Sequence, residues 1–228
     1  MSETVGPGLL LAFDTSTRSS VVAVGDAIPA ALSCRQVQHR HASHLLEQID
    51  EALAAADATL GQVAAVAVGT GPGSFSGLRV GLATAKTIAY ARSLPLVGVR
   101  SSDALRHAAM AAGAAGDAAV VLPAGARDHY LALAGADPEL VAPGGLAEAI
   151  GERAVIAVDV EPGLVGPEAT RLGVAAVEGL PAALLALARA RLLAGDWDDV
   201  AELTPAYVAL PRGVRSAAEE LGWSPDLR

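Results

Sequence analysis

Three short apolar runs stand in series early in the chain, separated by turns too short to hold a helix. Leu9–Asp14 is apolar and ends in an acid, Ser20–Gly25 is rich in β-branched residues, and Ala30–Val37 can form a third strand. Gly25–Asp26 supplies the turn between the second and third, so the three read as an antiparallel meander. The period then changes. Leu45, Leu46, Ile49, Ala52, Leu53 and Ala56 recur at helical spacing, which predicts a helix over Ser43–Ala56 with Ser43 as N-cap. Val63–Val68 reads as a strand buried on both faces, Gly69–Ser76 as a Gly/Pro loop, and Gly77–Ala91 as a second helix. Pro95–Val99 adds a strand, and Ser101–Ala112 a third helix with Asp103 in its first turn.

The order β-β-β-α-β-α-β-α predicts an α/β fold of the ribonuclease-H-like kind, which recurs in duplicate in actin-like and sugar-kinase-like ATPases. A doubly wound parallel sheet does not begin with such a meander. After the spacer Ala112–Asp117 the pattern restarts more weakly. Ala118–Leu122, Tyr130–Ala134 and Ala154–Asp159 read as strands and Ala182–Ala194 as a helix, with Pro and Gly breaking up the rest. The expected division is an N-terminal half over 1–110, a reduced second half over 111–211, and a flexible tail over 212–228.

Composition narrows the function classes. The 228 residues carry a formal charge of −9, so this surface is poorly suited to gripping phosphate backbones. Aromatic residues at 3% leave few platforms for stacking bases, which again speaks against direct recognition of nucleic acid. No apolar run is long enough, without Gly, Pro or charge, to predict a membrane span. The N-terminus lacks the basic stretch of a secretory signal, and the lone cysteine, Cys34, fits a reducing, cytoplasmic setting. Cys34 is expected to be buried in its strand.

The densest local feature is Gly69-Thr-Gly-Pro-Gly-Ser-Phe-Ser-Gly-Leu-Arg79, which follows a strand and opens a helix. Free N–H groups and the helix dipole favour an anion there, so Asp14, Thr15, Gly71, Gly73 and Ser74 are candidate phosphate contacts. The competing reading is a tight turn in which glycines supply the backbone freedom. No Walker lysine follows, and the Gly pair of the second half, Gly144–Gly145, lacks neighbouring acids and hydroxyls. His39, His41 and His44 lack the i, i+4 spacing of a helical metal pair, and no G-x-S-x-G elbow exists. Neither a metal site nor a catalytic residue is predicted. On the second helix, Gly77, Gly81, Ala85 and Ala89 form a stripe with almost no side chain. Either a helix of another chain packs there, or this chain's own second half does.

Leu-Ala-Phe-Asp14-Thr-Ser, His41-Ala-Ser-His-Leu-Leu46 and Gly69-Thr-Gly-Pro-Gly-Ser-Phe-Ser-Gly-Leu-Arg-Val-Gly-Leu82 together resemble the TsaB (YeaZ) family. The likeness is dense from Leu9 to about Ala108 and weak beyond. The family's Asp-Ala-Arg is Gly125-Ala-Arg127 here, and its Pro-x-Tyr-x-Arg is Pro205-Ala-Tyr207-Val-Ala209. The resemblance implies a non-catalytic, activating subunit in the addition of threonylcarbamoyl to N6 of adenosine 37, in tRNAs that read codons starting with A. Its implied partners are a TsaD-type catalytic subunit, a TsaE-type ATPase, and a second copy when alone, with tRNA met only indirectly. ATP and metal are expected in the partners, with no cofactor on this chain by itself. Docking is expected through the first two helices, with Leu45, Ile49, Leu53, Gly77, Leu78, Gly81, Leu82 and Ala85 at the contact. The alternatives are a small-molecule kinase or ATPase of the same fold and, less favoured, a peptidase.

Overall fold

The computed structural model describes residues 8–36 and 41–208. The predicted tail over 212–228 and His39 lie outside the described residues. Strands β1 (Leu9–Asp14), β2 (Ser19–Gly25) and β3 (Pro29–Gln36) form the meander, followed by α1 (His41–Ala55), β4 (Val63–Gly69), α2 (Phe75–Arg92), β5 (Leu96–Val99) and α3 (Ser101–Met110). The second series is β6 (Ala119–Ala124), β7 (Asp128–Ala132), β8 (Glu139–Val141), α4 (Leu146–Ile150), β9 (Val155–Ala157), α5 (Pro162–Val165) and α6 (Pro167–Leu193).

The first sheet runs β3-β2-β1-β4-β5 and the second β8-β7-β6-β9, so the second repeats the first without its last strand. In each, the first strand lies antiparallel to the second and parallel to the fourth. This is the ribonuclease-H-like order in duplicate, with the second copy reduced.

Alternation along the strands explains the layers. On β1, Leu11 and Phe13 point into a core shared with Leu45, Ile49 and Leu53 of α1 and Leu82 and Ala85 of α2. Leu10 and Ala12 point the other way, into a core that also holds Leu105 of α3, Leu172, Leu180 and Leu184 of α6, and Val120 and Ile156 of the second sheet. A sheet buried on both faces needs continuous apolar strands, and β1, β2 and β4 have them. A third core places Leu146 and Ile150 of α4 on the outer face of the second sheet. Helices α3 and α6 therefore fill the space between two sheets. Arg106 ties α3 to the second sheet: its buried guanidinium donates to the carbonyls of Ala118 and Ala132, at 2.9 and 2.8 Å, and pairs with Asp103.

Several boundaries differ from expectation. Helix α1 begins at His41, so Ser43 lies inside its first turn rather than capping it. Helix α2 begins at Phe75, capped by Ser74, whose hydroxyl accepts from the Gly77 N–H at 3.3 Å. The largest correction is α6, expected over Ala182–Ala194. Its buried stripe of Leu172, Ala176, Leu180 and Leu184 runs straight past Pro181, because burial between two sheets outweighs the lost backbone bond. Pro167 sits in the first turn, where a missing N–H costs nothing. By length and apolarity α6 would pass for a membrane span; in the fold its apolar side chains are taken up by the two sheets. Cys34 is exposed rather than buried, because β3 is an edge strand whose alternate side chains face outward.

Candidate functional site

The Gly-rich loop between β4 and α2 lies directly under the turn that follows β1. Asp14 is fully buried, and its carboxylate accepts from the Ser16 N–H and from the Ser101 hydroxyl, both at 2.5 Å. The Ser101 oxygen in turn accepts from the Gly71 N–H at 2.8 Å. The Thr15 hydroxyl donates to the Gly77 carbonyl at 2.7 Å, and the Ser74 N–H to the Ser16 carbonyl at 2.7 Å. The glycines make this approach sterically feasible. A Cβ on Gly69 would overlap the Asp14 carboxylate, one on Gly73 the Ser16 carbonyl, and one on Gly77 the Thr15 carbonyl. The structure brings the residues singled out as phosphate contacts, Asp14, Thr15, Gly71, Gly73 and Ser74, to one place. Asp14, Thr15, Gly71 and Ser74 bond to Ser16, Gly77 and Ser101, so the loop is a latch between β1, β4, α2 and α3.

The small-residue stripe has the same explanation. Gly77 and Gly81 face Thr15, and Ala85 and Ala89 lie in the core under the first sheet. Leu45, Ile49, Leu53, Leu78 and Leu82 are buried there too. The eight residues expected at a partner contact point inward, because close packing on the chain's own β1 turn demands the same small side chains as packing on another helix. The outward face of the helix pair is different. On α2, Ser76, Arg79, Ala83, Thr87 and Tyr90 are exposed, Tyr90 at 81%, and on α1 so are Leu46, at 58%, Asp50 and Ala54. This face carries small and apolar groups interleaved with Asp50 and Arg79, with Glu47 and Glu51 on α1 and Arg92 on α2 around it. Glu51 pairs with Arg35 of β3, which holds its carboxyl below the usual range. His44 lies 3.6 Å from Glu47.

One flank of α2 is covered by a segment that sequence reasoning did not single out. Residues 196–207 return along β5 to the start of α2. The Asp198 N–H donates to the Leu96 carbonyl at 2.8 Å, and its carboxylate accepts from the Gly98 N–H at 2.7 Å. Lys86, the chain's one lysine, donates to the Ala201 carbonyl, and the Ala206 N–H to the Thr70 carbonyl, both at 2.8 Å. Tyr207 ends the strap: its ring lies 5.3 Å from that of Phe75, and its hydroxyl accepts from Arg79 Nε at 3.3 Å. The Arg79 guanidinium sits 3.9 Å over the Phe75 ring. The strap covers the open edge of β5. Its only signal in the sequence was the Pro205-Ala-Tyr207 segment.

Arg191 anchors the strap's start through Asp196 and Asp198. The hydrogen bond from Arg191 holds the Asp196 carboxyl below its ordinary value. A carboxyl depressed in the folded state stabilises above its unfolded value, about 3.9, and loses that contribution as pH falls through the folded value. Acidification is therefore expected to loosen the strap first, read as a shift in Trp197 emission before global unfolding. The step should shrink in Asp196→Asn; an unchanged step would dissociate it from this pair.

Among the described residues no group of three or more His, Cys, Asp or Glu side chains is placed to hold a metal ion.

Comparison with known proteins bears on this architecture. A family model described as TsaD, tRNA N6-adenosine threonylcarbamoyltransferase, matches residues 33–183. The chain is 39% identical over 100 residues to the tRNA threonylcarbamoyladenosine biosynthesis protein TsaB of Haemophilus influenzae, covering 44% of this chain and 42% of that protein. To the TsaB protein of Escherichia coli it is 31% identical over 90 residues, 40% of this chain and 39% of that one. The chain thus spans about two-fifths of the length of these curated relatives. In three dimensions it is similar to YeaZ from Pseudomonas aeruginosa, with a TM-score of 0.66 and 24% identity over 88% of this chain and 99% of that one, a likeness of fold. With the model matched across well over half its length and TsaB proteins among its relatives, the chain belongs to the TsaD-like family, in its TsaB (YeaZ) branch.

Proposed function

We propose that this chain is a non-catalytic, activating subunit in the biosynthesis of threonylcarbamoyladenosine in tRNA, acting by docking onto a TsaD-type catalytic subunit. The reaction it serves transfers threonylcarbamoyl to N6 of adenosine 37 in tRNAs reading codons that start with A, in the cytoplasm. The observation that carries the docking reading is the outward face of α1 and α2. A solvated helix face is normally broad and charged, whereas this one sets Asp50 and Arg79 among the small or apolar Ala83, Thr87, Leu46 and Ala54. Small side chains there let a partner helix approach closely, and Leu46 and Tyr90 supply anchors at 58% and 81% exposure. An interface of roughly 1,200–2,000 Å² would suffice for a specific complex. The same face serves a second copy when the catalytic subunit is absent, and a TsaE-type ATPase completes the assembly. Nucleotide and metal reside in the partners. The latch around Asp14 supports this division, because its polar groups serve the fold.

The test is co-purification with the TsaD-type protein of the same organism, followed by tRNA modification with and without this chain. Modification should depend on it. Ala83→Arg, on an exposed position that leaves the core untouched, is expected to weaken the complex roughly 5–150-fold through overpacking and an unpaired charge. Modification that proceeds equally well without the chain would sink the proposal; an intact complex with Ala83→Arg would remove α2 from the interface.

A further inference from the structure

The chain leaves the strap at the rim of the outward face of α1 and α2. Tyr207 holds Phe75 and Arg79 at the start of α2, and Arg79 is itself an exposed position of that face. The described residues end at Val208, and residues 209–228 follow. Their sequence is patterned. Val214, Ala217, Ala218 and Leu221 stand at i, i+3, i+4 and i+7, with Gly222 and Pro225 after them as helix stop signals. An isolated helix shorter than roughly 12 residues is marginal in water, so a stripe this short needs a surface to bury against. The charges around it cancel: Arg212, Arg215 and Arg228 stand against Glu219, Glu220 and Asp226, so a chain of net charge −9 does not repel its own tail.

The outward face of the helix pair lies within reach. It exposes Leu46 at 58% and Tyr90 at 81%, with Ala83 and Thr87 along α2. From Arg79 to Tyr90 the helix rises about 16 Å. Residues 209–213 span at most about 17 Å when extended, so a helix opening at Val214 falls on this face. The exposed Leu32 of β3 is a poorer target, because β3 lies at the opposite edge of the first sheet from β5, which the strap follows.

We propose that residues 209–228 fold back over the outward face of α1 and α2, setting the stripe of Val214, Ala217, Ala218 and Leu221 against Ala83 and Thr87, and that a partner subunit must displace them to dock. The displacement rests on the docking reading; the position of the tail does not.

Paired cysteines in the full chain, in a Cys34→Ser background, read the position. Oxidised with diamide at low protein concentration, Thr87→Cys with Ala218→Cys should form an intramolecular disulfide about 10-fold faster or more than Val174→Cys of α6 with Ala218→Cys. Adding Val214→Arg and Leu221→Arg should bring the Thr87 pair down to the rate of the Val174 pair. Without the added cysteines, the same double arginine variant should bind the TsaD-type subunit about 5–10-fold more tightly than the parent, because no tail has to leave first. Equal rates for the two cysteine pairs overturn the proposal whatever the partner does. So does a double arginine variant that binds the partner no more tightly than the parent. A fast Thr87 pair in a chain that the partner does not bind overturns the docking reading instead, and supports the tail on this face.

Discussion

Gly77→Ala is expected to lower the thermal midpoint by about 6–12 °C, from a loss of about 3 kcal/mol. A single methyl group would normally stabilise a helix here, since alanine outranks glycine by about 1 kcal/mol. At position 77 the added carbon overlaps the Thr15 carbonyl oxygen. That oxygen belongs to backbone and cannot swing aside as a flexible side chain could. The turn is also held from both ends: Thr15 donates to the Gly77 carbonyl, and Asp14 stays in register opposite Val21. The overlap must therefore be relieved by moving α2 off the sheet, which opens the core around Leu82 and Ala85. Differential scanning calorimetry reads the effect. Gly116→Ala is the control, since its nearest neighbour would be the end of Met110, 3.9 Å away. A Gly77→Ala midpoint matching that of Gly116→Ala would mean that the contact under α2 is looser than described.

Asp14→Ala should cost about 2–5 kcal/mol, because it leaves the Ser16 N–H and the Ser101 hydroxyl buried without their acceptor. On a typical stability of about 5–15 kcal/mol this is a large fraction of the whole. Urea unfolding of the isolated protein measures it, with no ligand added. The magnitude separates two roles for the same acid. A carboxylate kept for a phosphate or a metal sits under strain, so its removal leaves stability unchanged or raises it. One that closes a latch lowers stability at once when removed. A variant as stable as the parent would return Asp14 to the first category.

The legibility of this fold follows from how each element is buried. Strands β1, β2 and β4 are readable because both faces are buried, which makes each a continuous apolar run, and helices α1 and α2 because one side meets a core along the length, which keeps a period of three to four. The second half was dimmer for a physical reason. Strand β8 is three residues long with two of them exposed, and α4 and α5 are single turns, too short for any period to emerge. Helix α6 was truncated because Pro181 is a strong local signal and burial between two sheets is a non-local one. The candidate site was half legible. Asp14 and the loop from Gly69 stand out in the sequence and meet in the fold, but whether their polar groups face a ligand or the fold depends on Ser101, far off in sequence. The stripe on α2 reported close packing without reporting against what.

The placement of α6 also governs the order in which the protein can be completed. The inner face of the first sheet, with Leu10, Ala12, Val21 and Ala23, is covered by a helix that ends at Leu193. On the ribosome the N-terminal residues emerge first, and their sheet waits with one apolar face bare until most of the chain has been made. Such a face invites aggregation or chaperone capture in the interval. A nascent chain stopped at residue 160 should therefore remain sticky and protease-sensitive, although every strand of its first sheet is already present.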